Sequence, residues 1–210
     1  MAAASPVGMS MRAVLKTIAH GLATLAVLPA LLSFSIRAAI IGRDRALEGS
    51  TQALSLIPGL VGQYLRRAFL SRVLASCHRS VTVEFGTIFS RAGARLDENV
   101  YVGPACHLGL VHLQRDVLLA AAVHVPSGPD THGIDDLTRP IREQPGRQRM
   151  VTIGAGSWIG SGSVVLADVG GDTVVGAGSV VTRPLPDRVL AAGAPARVIR
   201  SRDAHGRQSA

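Results

Sequence analysis

Aliphatic residues recur at every sixth position across the second half of the chain. Ile153, Ile159 and Val165 open successive units; the count then slips and resumes at Val169, Val175 and Val181. Gly follows the aliphatic at Gly154, Gly160, Gly170 and Gly176, and the fifth place of each complete unit is small: Ser157, Ser163, Thr173 and Ser179. A period of six is neither helical nor the two-residue alternation of an open sheet. It belongs to repeat architectures, in which each unit covers its apolar face only by stacking on its neighbours. The pattern predicts a parallel β-helix in which each unit is one flat side of a triangular coil. The aliphatic points inward, the small residue fits the narrow inside corner, and Gly frees the backbone to turn.

The same register runs upstream. Leu96, Val102 and Leu108 keep the count, one residue is lost before Leu113, and Leu119 and Val125 follow. Their fifth places hold Val100, Cys106, Val117 and Val123, again small to medium and apolar. A long polar insert then separates Val125 from Ile153. With three units to a coil, it leaves the third side of the second coil counted this way. Long loops ejected from a compact domain are commonly functional, so the chemistry is sought there first.

Ahead of the repeats the pattern is helical. Thr17 to Ile36 contains no charged residue unless His20 is protonated, about the ~20 residues that span a bilayer. Arg12 and Lys16 precede it, and Arg37, Arg43 and Arg45 follow. The segment predicts a membrane-spanning or membrane-embedded helix kinked at Pro29, and the arginine excess after it places the C-terminal bulk on the cytoplasmic side. It ends without a clear small-x-small cleavage site, which argues against a signal peptide. A second helix starts at Pro58 and Gly59. Leu60, Val61, Tyr64, Leu65, Ala68 and Phe69 form its apolar face, with Gln63, Arg66, Arg67 and Arg72 elsewhere. It suits either a cap on the open end of the solenoid or a membrane surface. Val81, Val83 and Phe85 alternate into the first coil. The expected organisation is a tail and hydrophobic membrane-associated helix over 1–45 and a linker with a capping helix over 46–80. The β-helix domain follows over 81–200 with an inserted loop at 126–152, then a disordered tail over 201–210.

Composition narrows the partners. The net charge of +8 comes almost wholly from arginine, Lys16 being the only lysine. That balance suits phosphate-bearing ligands or anionic membranes. Aromatic residues make up only 3% of the chain, which argues against base stacking, and no nucleic-acid-binding motif is present, so no nucleic acid is expected. Two cysteines, Cys77 and Cys106, do not make a disulfide scaffold and fit a reducing compartment. Cys106 stands at an inward place, where burial raises the thiol pKa and argues against a nucleophile.

The block WIGSGSVVLADVGGDTVVGAGSVVTRPLPDRVLAAGAPARVIR resembles the C-terminal half of the hexapeptide-repeat acyltransferases, in particular sugar O-acetyltransferases of the maltose and xenobiotic acetyltransferase group. The family pattern reads Trp-Ile-Gly, then Gly-Ala-Gly-Ser-Val-Val-Thr-Lys, then Gly-Asn-Pro-Ala-Lys. Here the Lys places are Arg183 and Arg197, and the Asn place is Ala194. The resemblance covers Val81 to Arg200. It implies a mainly β fold, a left-handed parallel β-helix, assembled as a homotrimer and using acetyl-CoA as acyl donor. It further implies that a loop His, matched by His132, removes the proton from an acceptor hydroxyl, which attacks the thioester without an acyl-enzyme. An imidazole is a suitable base for an alcohol at neutral pH, and Asp130, Asp135 or Asp136 could orient it.

For the donor, the resemblance implies backbone contacts at Ser161 and Ala177, with Thr182 and Arg183 near the far end and Arg197 and Arg200 on the nucleotide phosphates. Replacing Lys by Arg keeps that charge. Trp158, in an outward sixth place, packs along the donor or on a neighbouring subunit. His107 and His124 also occupy outward sixth places and should stack on adjacent coils, lining an acceptor cleft or a trimer contact together with Asp130. With His112 nearby, they leave open a zinc hydratase of the gamma-carbonic-anhydrase sort, although no metal is expected. The further alternatives are a serine O-acetyltransferase, an amino-sugar N-acyltransferase and a noncatalytic scaffold. The resulting expectation is an O-acetyltransferase on the cytoplasmic face of a membrane, acting on a sugar or glycan, free or lipid-linked.

Overall fold

The computed structural model describes residues 11–203. Residues 1–10 and 204–210, read as disordered ends, lie outside the described residues. Ser201 itself closes a strand, so the polar tail begins later than the sequence suggests.

The chain coils into a triangular solenoid of short parallel strands. One side stacks Ser76–Cys77, Arg95–Leu96, Val111–Leu113 and Val151–Ile153, continued by bridges at Val169 and Leu185. A second stacks Thr82–Val83, Tyr101–Val102, Leu118–Leu119, Trp158–Ile159, Val174–Val175 and Val189–Gly193, and Ala196–Ser201 folds back antiparallel to close it. The third stacks Ile88–Phe89, His107–Leu108, His124–Val125, Val164–Val165 and Val180–Val181.

Every aliphatic in the six-residue count is buried, from Leu96 to Val181, as are all the fifth-place residues. The polar fifth places fasten coil to coil. Ser157 Oγ donates to the Gly170 carbonyl at 2.7 Å and accepts from Thr173 N at 3.0 Å. Thr173 Oγ1 passes the bond on to the Pro186 carbonyl at 2.7 Å. A buried hydroxyl with both capacities used costs little desolvation and locks the stacking register.

Gly does not turn the chain at the second place. The left-handed residue is the fourth of each unit, Gly178 among them, with Asn99, Asp116 and Asp172 adopting the same positive φ elsewhere. Second-place Gly serves close approach instead: a Cβ on Gly160 would collide with the backbone nitrogen of Ala177 on the next coil.

The solenoid also begins earlier than expected. Cys77, Val83 and Phe89 form a first coil ahead of Leu96, so the insert leaves the third side of the third coil, not the second. Val83 points in, but Phe85 is 45% exposed, because it follows the strand at a corner where alternation ends.

Four helices precede the coils: α1 (Met11–Ala26), α2 (Leu28–Ile41), α3 (Arg43–Ser55) and α4 (Gly59–Val73). The expected single hydrophobic helix is two, bent by 46° at Val27, with Pro29 in the first turn of α2. No single helix is long and apolar enough to cross a membrane among the described residues.

Helix α3 stands where the sequence predicts a linker; apart from Leu47 its buried face is small or polar, Ala46, Ser50, Thr51 and Ser55, which gives no apolar period. It covers the open edge of the third side. Thr51 Oγ1 accepts from Phe89 N at 3.1 Å and shares its one proton between the Glu48 carbonyl at 3.0 Å and the Phe89 carbonyl at 3.2 Å, so one side chain meets both strand-edge groups, the carbonyl only in part.

The face of α4 also differs from the expected one. Leu60 is 70% exposed, whereas Arg66 is 2% exposed and turned toward the coils. Its Nε donates to Val83 O at 2.9 Å, and its Nη1 donates to Leu54 O at 3.1 Å and Ile57 O at 2.7 Å. Val83 O lies on the first strand edge, and Leu54 O and Ile57 O at the end of α3 and the turn after it, so a guanidinium ties that turn to the coil where an aliphatic would leave the three carbonyls bare.

Candidate active site

The polar insert is a structured loop. Its root is closed by Arg149 N to Ser127 O at 2.8 Å and Arg147 N to Asp130 O at 2.6 Å. Inside it Gln144 is buried and acts as a pin. Its Oε1 accepts from Asp136 N at 3.1 Å, while Nε2 donates to Asp136 O at 2.7 Å and Arg139 O at 3.0 Å. The returning chain at Gly146 lies so close to the Thr131 carbonyl that a Cβ there would collide with it. Arg149 and Thr152 N both bond the Asp168 carboxylate, at 3.1 and 2.8 Å, tying the return to the solenoid.

This bracing sets Thr131 and His132 beside the third side of the prism, at a cleft of about 540 Å³. His107 and His124 form part of its wall. Their strands pair in register, and the rings meet edge to face with centroids 6.1 Å apart. The predicted stacking of the two is therefore present, and the fold adds His132 to them. Glu48 of α3, Ser90, Arg91 and Ser127 complete the wall.

Glu48 had no signal in the sequence. It lies in a stretch without a strong apolar period, and only the docking of α3 on Phe89 carries it to the cleft. Asp44 at the start of α3 strengthens that docking, accepting from Ala92 N at 2.9 Å.

The expected carboxylate partner for His132 is not found. Among the described residues no side chain hydrogen-bonds its ring, which is exposed to the cleft. Asp130 is exposed at the loop root and does not border the cleft. Asp136 is occupied by Thr138, whose Oγ1 and N donate to it at 2.6 and 2.9 Å and hold its carboxyl below the ordinary range. The carboxylate at the cleft is Glu48. His112 lies on another side of the prism, its Nε2 2.9 Å from Asp97, and does not join His107 and His124 within the chain.

The residues expected at the donor are all exposed. Ser161 and Ala177 sit on adjacent coils at the corner between the second and third sides, joined through Gly178 N to Ser161 O at 2.8 Å. Trp158 is 51% exposed on the second side, between Leu118 and Val174. Thr182 and Arg183 follow the last strand of the third side, and Arg197 and Arg200 lie on the closing hairpin. Cys106 is inert by placement: burial pushes its thiol up to about 11.

The lipopolysaccharide biosynthesis O-acetyl transferase WbbJ of Escherichia coli K12, provisionally so named, is 30% identical over 142 residues. The match spans 57% of this chain and 71% of WbbJ. The chain belongs to the hexapeptide-repeat acetyltransferases. The galactoside O-acetyltransferase of Escherichia coli K12 is 50% identical over 60 residues, covering 26% of this hexapeptide-repeat chain and 30% of that protein. The chain thus spans under a third of that relative's length. A solved galactoside acetyltransferase in complex with coenzyme A superposes with a TM-score of 0.60 at 23% identity, over 76% of this chain and 80% of that one, and so shares the hexapeptide-repeat fold. No family model matches the chain.

Proposed function

We propose that the chain is an acetyl-CoA-dependent O-acetyltransferase that modifies a hydroxyl of a sugar or glycan in the cleft beside His132. The observation that carries this reading is the convergence of His132, His107, His124 and Glu48 in one cleft on a chain of this family. A wall that mixes imidazole and hydroxyl groups with one carboxylate and one guanidinium offers many donors and acceptors to a polyhydroxylated acceptor. His132, with its ring free, takes the acceptor hydroxyl proton as the oxygen bonds to the acetyl carbonyl carbon. The carbon–sulfur bond then breaks, and the departing thiolate recovers the proton from the imidazolium. No acyl-enzyme forms, consistent with the high pKa of the buried Cys106 thiol.

Acetyl-CoA is placed in a groove between subunits of a trimer. Two observations support that placement. Tyr101, Leu118 and Trp158 make an exposed ladder on the second side, an apolar surface of the kind subunits cover. Arg183, Arg197 and Arg200 take no part in the ion pairs among the described residues, leaving three guanidinium groups for phosphates. Ser161 and Ala177 offer an open backbone corner for the pantetheine arm. The protein is further placed at the cytoplasmic face of a membrane. Leu15, Ile18, Leu22 and Leu25 of α1, and Leu28, Leu32, Ile36 and Ile40 of α2, expose apolar faces that an aqueous surface rarely carries.

Calorimetric titration with acetyl-CoA tests the reading, comparing the wild type with an Arg183→Ala, Arg197→Ala double variant. Binding that the variant weakens, together with acetyl transfer to glycan hydroxyls lost in His132→Ala, is expected. Absence of any acetyl-CoA binding would overturn it.

A further inference from the structure

Away from the His132 cleft, a polar cleft of about 630 Å³ opens where α1 and α4 meet the start of the solenoid. Its cationic side is Arg67 and Arg79; burial and these two arginines lower the His20 pKa, so His20 joins Ser80, Thr82 and Asn99 as a neutral polar group. The Arg67 guanidinium lies 4.6 Å from the Tyr64 ring centroid, and His20 meets the same ring edge-on at 5.2 Å. Tyr64 therefore aligns both groups along one wall.

Arg67 is incompletely satisfied. Its Nη1 donates to Val81 O at 3.2 Å, whereas Nε and Nη2 are shielded from solvent without a hydrogen-bond partner. Those two nitrogens form the edge of the guanidinium that binds an oxyanion side-on. Neither Arg67 nor Arg79 is in an ion pair among the described residues. The carboxylate of Glu84 is engaged by Gln63 Nε2 at 2.8 Å. Buried donors left without acceptors are costly, and a turn of the Arg67 side chain that presents this edge to an anion in the cleft relieves that cost.

The cleft continues into an apolar groove. Leu60 and Tyr64 line both, and Leu22, Ala26, Val61 and Leu65 extend the second, a space of about 400 Å³. Leu22, Leu60 and Val61 are each more than 60% exposed. A cationic cleft opening onto a hydrocarbon-lined groove is complementary to an amphiphile with an anionic head. We propose that the cleft of Arg67 and Arg79 binds the phosphate of a membrane phospholipid, with an acyl chain lying in the groove between α1 and α4. The site seats the enzyme on an anionic leaflet. It rests on the membrane-surface part of the reading above and is independent of acetyl transfer.

Flotation of the full-length protein with phosphatidylcholine vesicles, with and without a minority of phosphatidylglycerol, tests this. Wild type should prefer the anionic vesicles. Arg79→Gln, at an exposed position, should lower that preference roughly fivefold, and the Arg67→Gln, Arg79→Gln pair roughly thirtyfold, each cation near an anionic surface contributing about 1 kcal/mol. Leu60→Asp should weaken binding to both vesicle types. Equal partition of wild type and Arg79→Gln between the two vesicle types would overturn the proposal. So would inorganic phosphate abolishing the preference at the lipid-phosphate concentration, because the groove would then contribute nothing. Acetyl-CoA titration of the same preparations separates the two readings, since these variants should retain wild-type affinity.

Discussion

His107 and His124 stand on adjacent coils with ring centroids 6.1 Å apart and planes inclined by 61°. Strand pairing fixes that spacing, so the two imidazoles form a preset wall rather than a flexible pair. Replacing His124 by Ala should raise the acceptor KM roughly tenfold, the worth of about one hydrogen bond, with a smaller change in kcat. Steady-state kinetics over acceptor concentration would show it; a change confined to the acetyl-CoA KM would contradict the assignment.

His132 should separate chemistry from binding. His132→Ala is expected to lower kcat by about 10²–10⁴-fold while leaving acetyl-CoA affinity unchanged. Glu48→Gln, which alters the cleft's one carboxylate, should reduce kcat/KM without shifting the thermal midpoint.

Thr51 serves both backbone groups of Phe89 at the edge of the third side. Thr51→Val keeps the shape but leaves that edge unsatisfied. A loss of about 1–3 kcal/mol is expected from denaturant unfolding, and Thr51→Ser should recover most of it.

At Gly160 a methyl group would press on the Ala177 nitrogen. Gly160→Ala should cost about 1–3 kcal/mol by overpacking. Gly162→Ala, where nothing lies within reach but φ is positive, should destabilise through backbone strain of about 1–2 kcal/mol. Thermal melts would distinguish strain from crowding: Gly162→Asn should recover most of its loss, since Asn99 holds the same positive φ in another unit, whereas Gly160→Asn should be no better than Gly160→Ala.

Both thiols are pushed up by burial, Cys106 to about 11 and Cys77 to about 12, from an ordinary 9.0. The folded chain therefore holds these protons more tightly than the unfolded one. The resulting stability is fully present below pH 9 and is lost as pH rises through the folded values. Unfolding midpoints should fall across that window, and less so in Cys106→Ala. At neutral pH neither thiol should be alkylated until the protein unfolds.

The six-residue period by itself determined the solenoid, its inward aliphatic ladder, the buried fifth places and the stacking of His107 on His124. All of these follow from one repeated local unit laid on its copy. Tertiary structure alone decided which helices cap the coils, where the first coil begins, and which acid reaches the cleft. Thr51 and Arg66 are polar residues buried because distant strand edges need partners, and no local period marks such a need. Glu48 reaches the His132 cleft by the same long-range docking, while Asp136, nearer in sequence, is taken by its own turn. The N-terminal apolar run likewise encodes hydrophobicity but not direction: it breaks at Val27, just before Pro29, because α1 packs on α4 while α2 packs on α3.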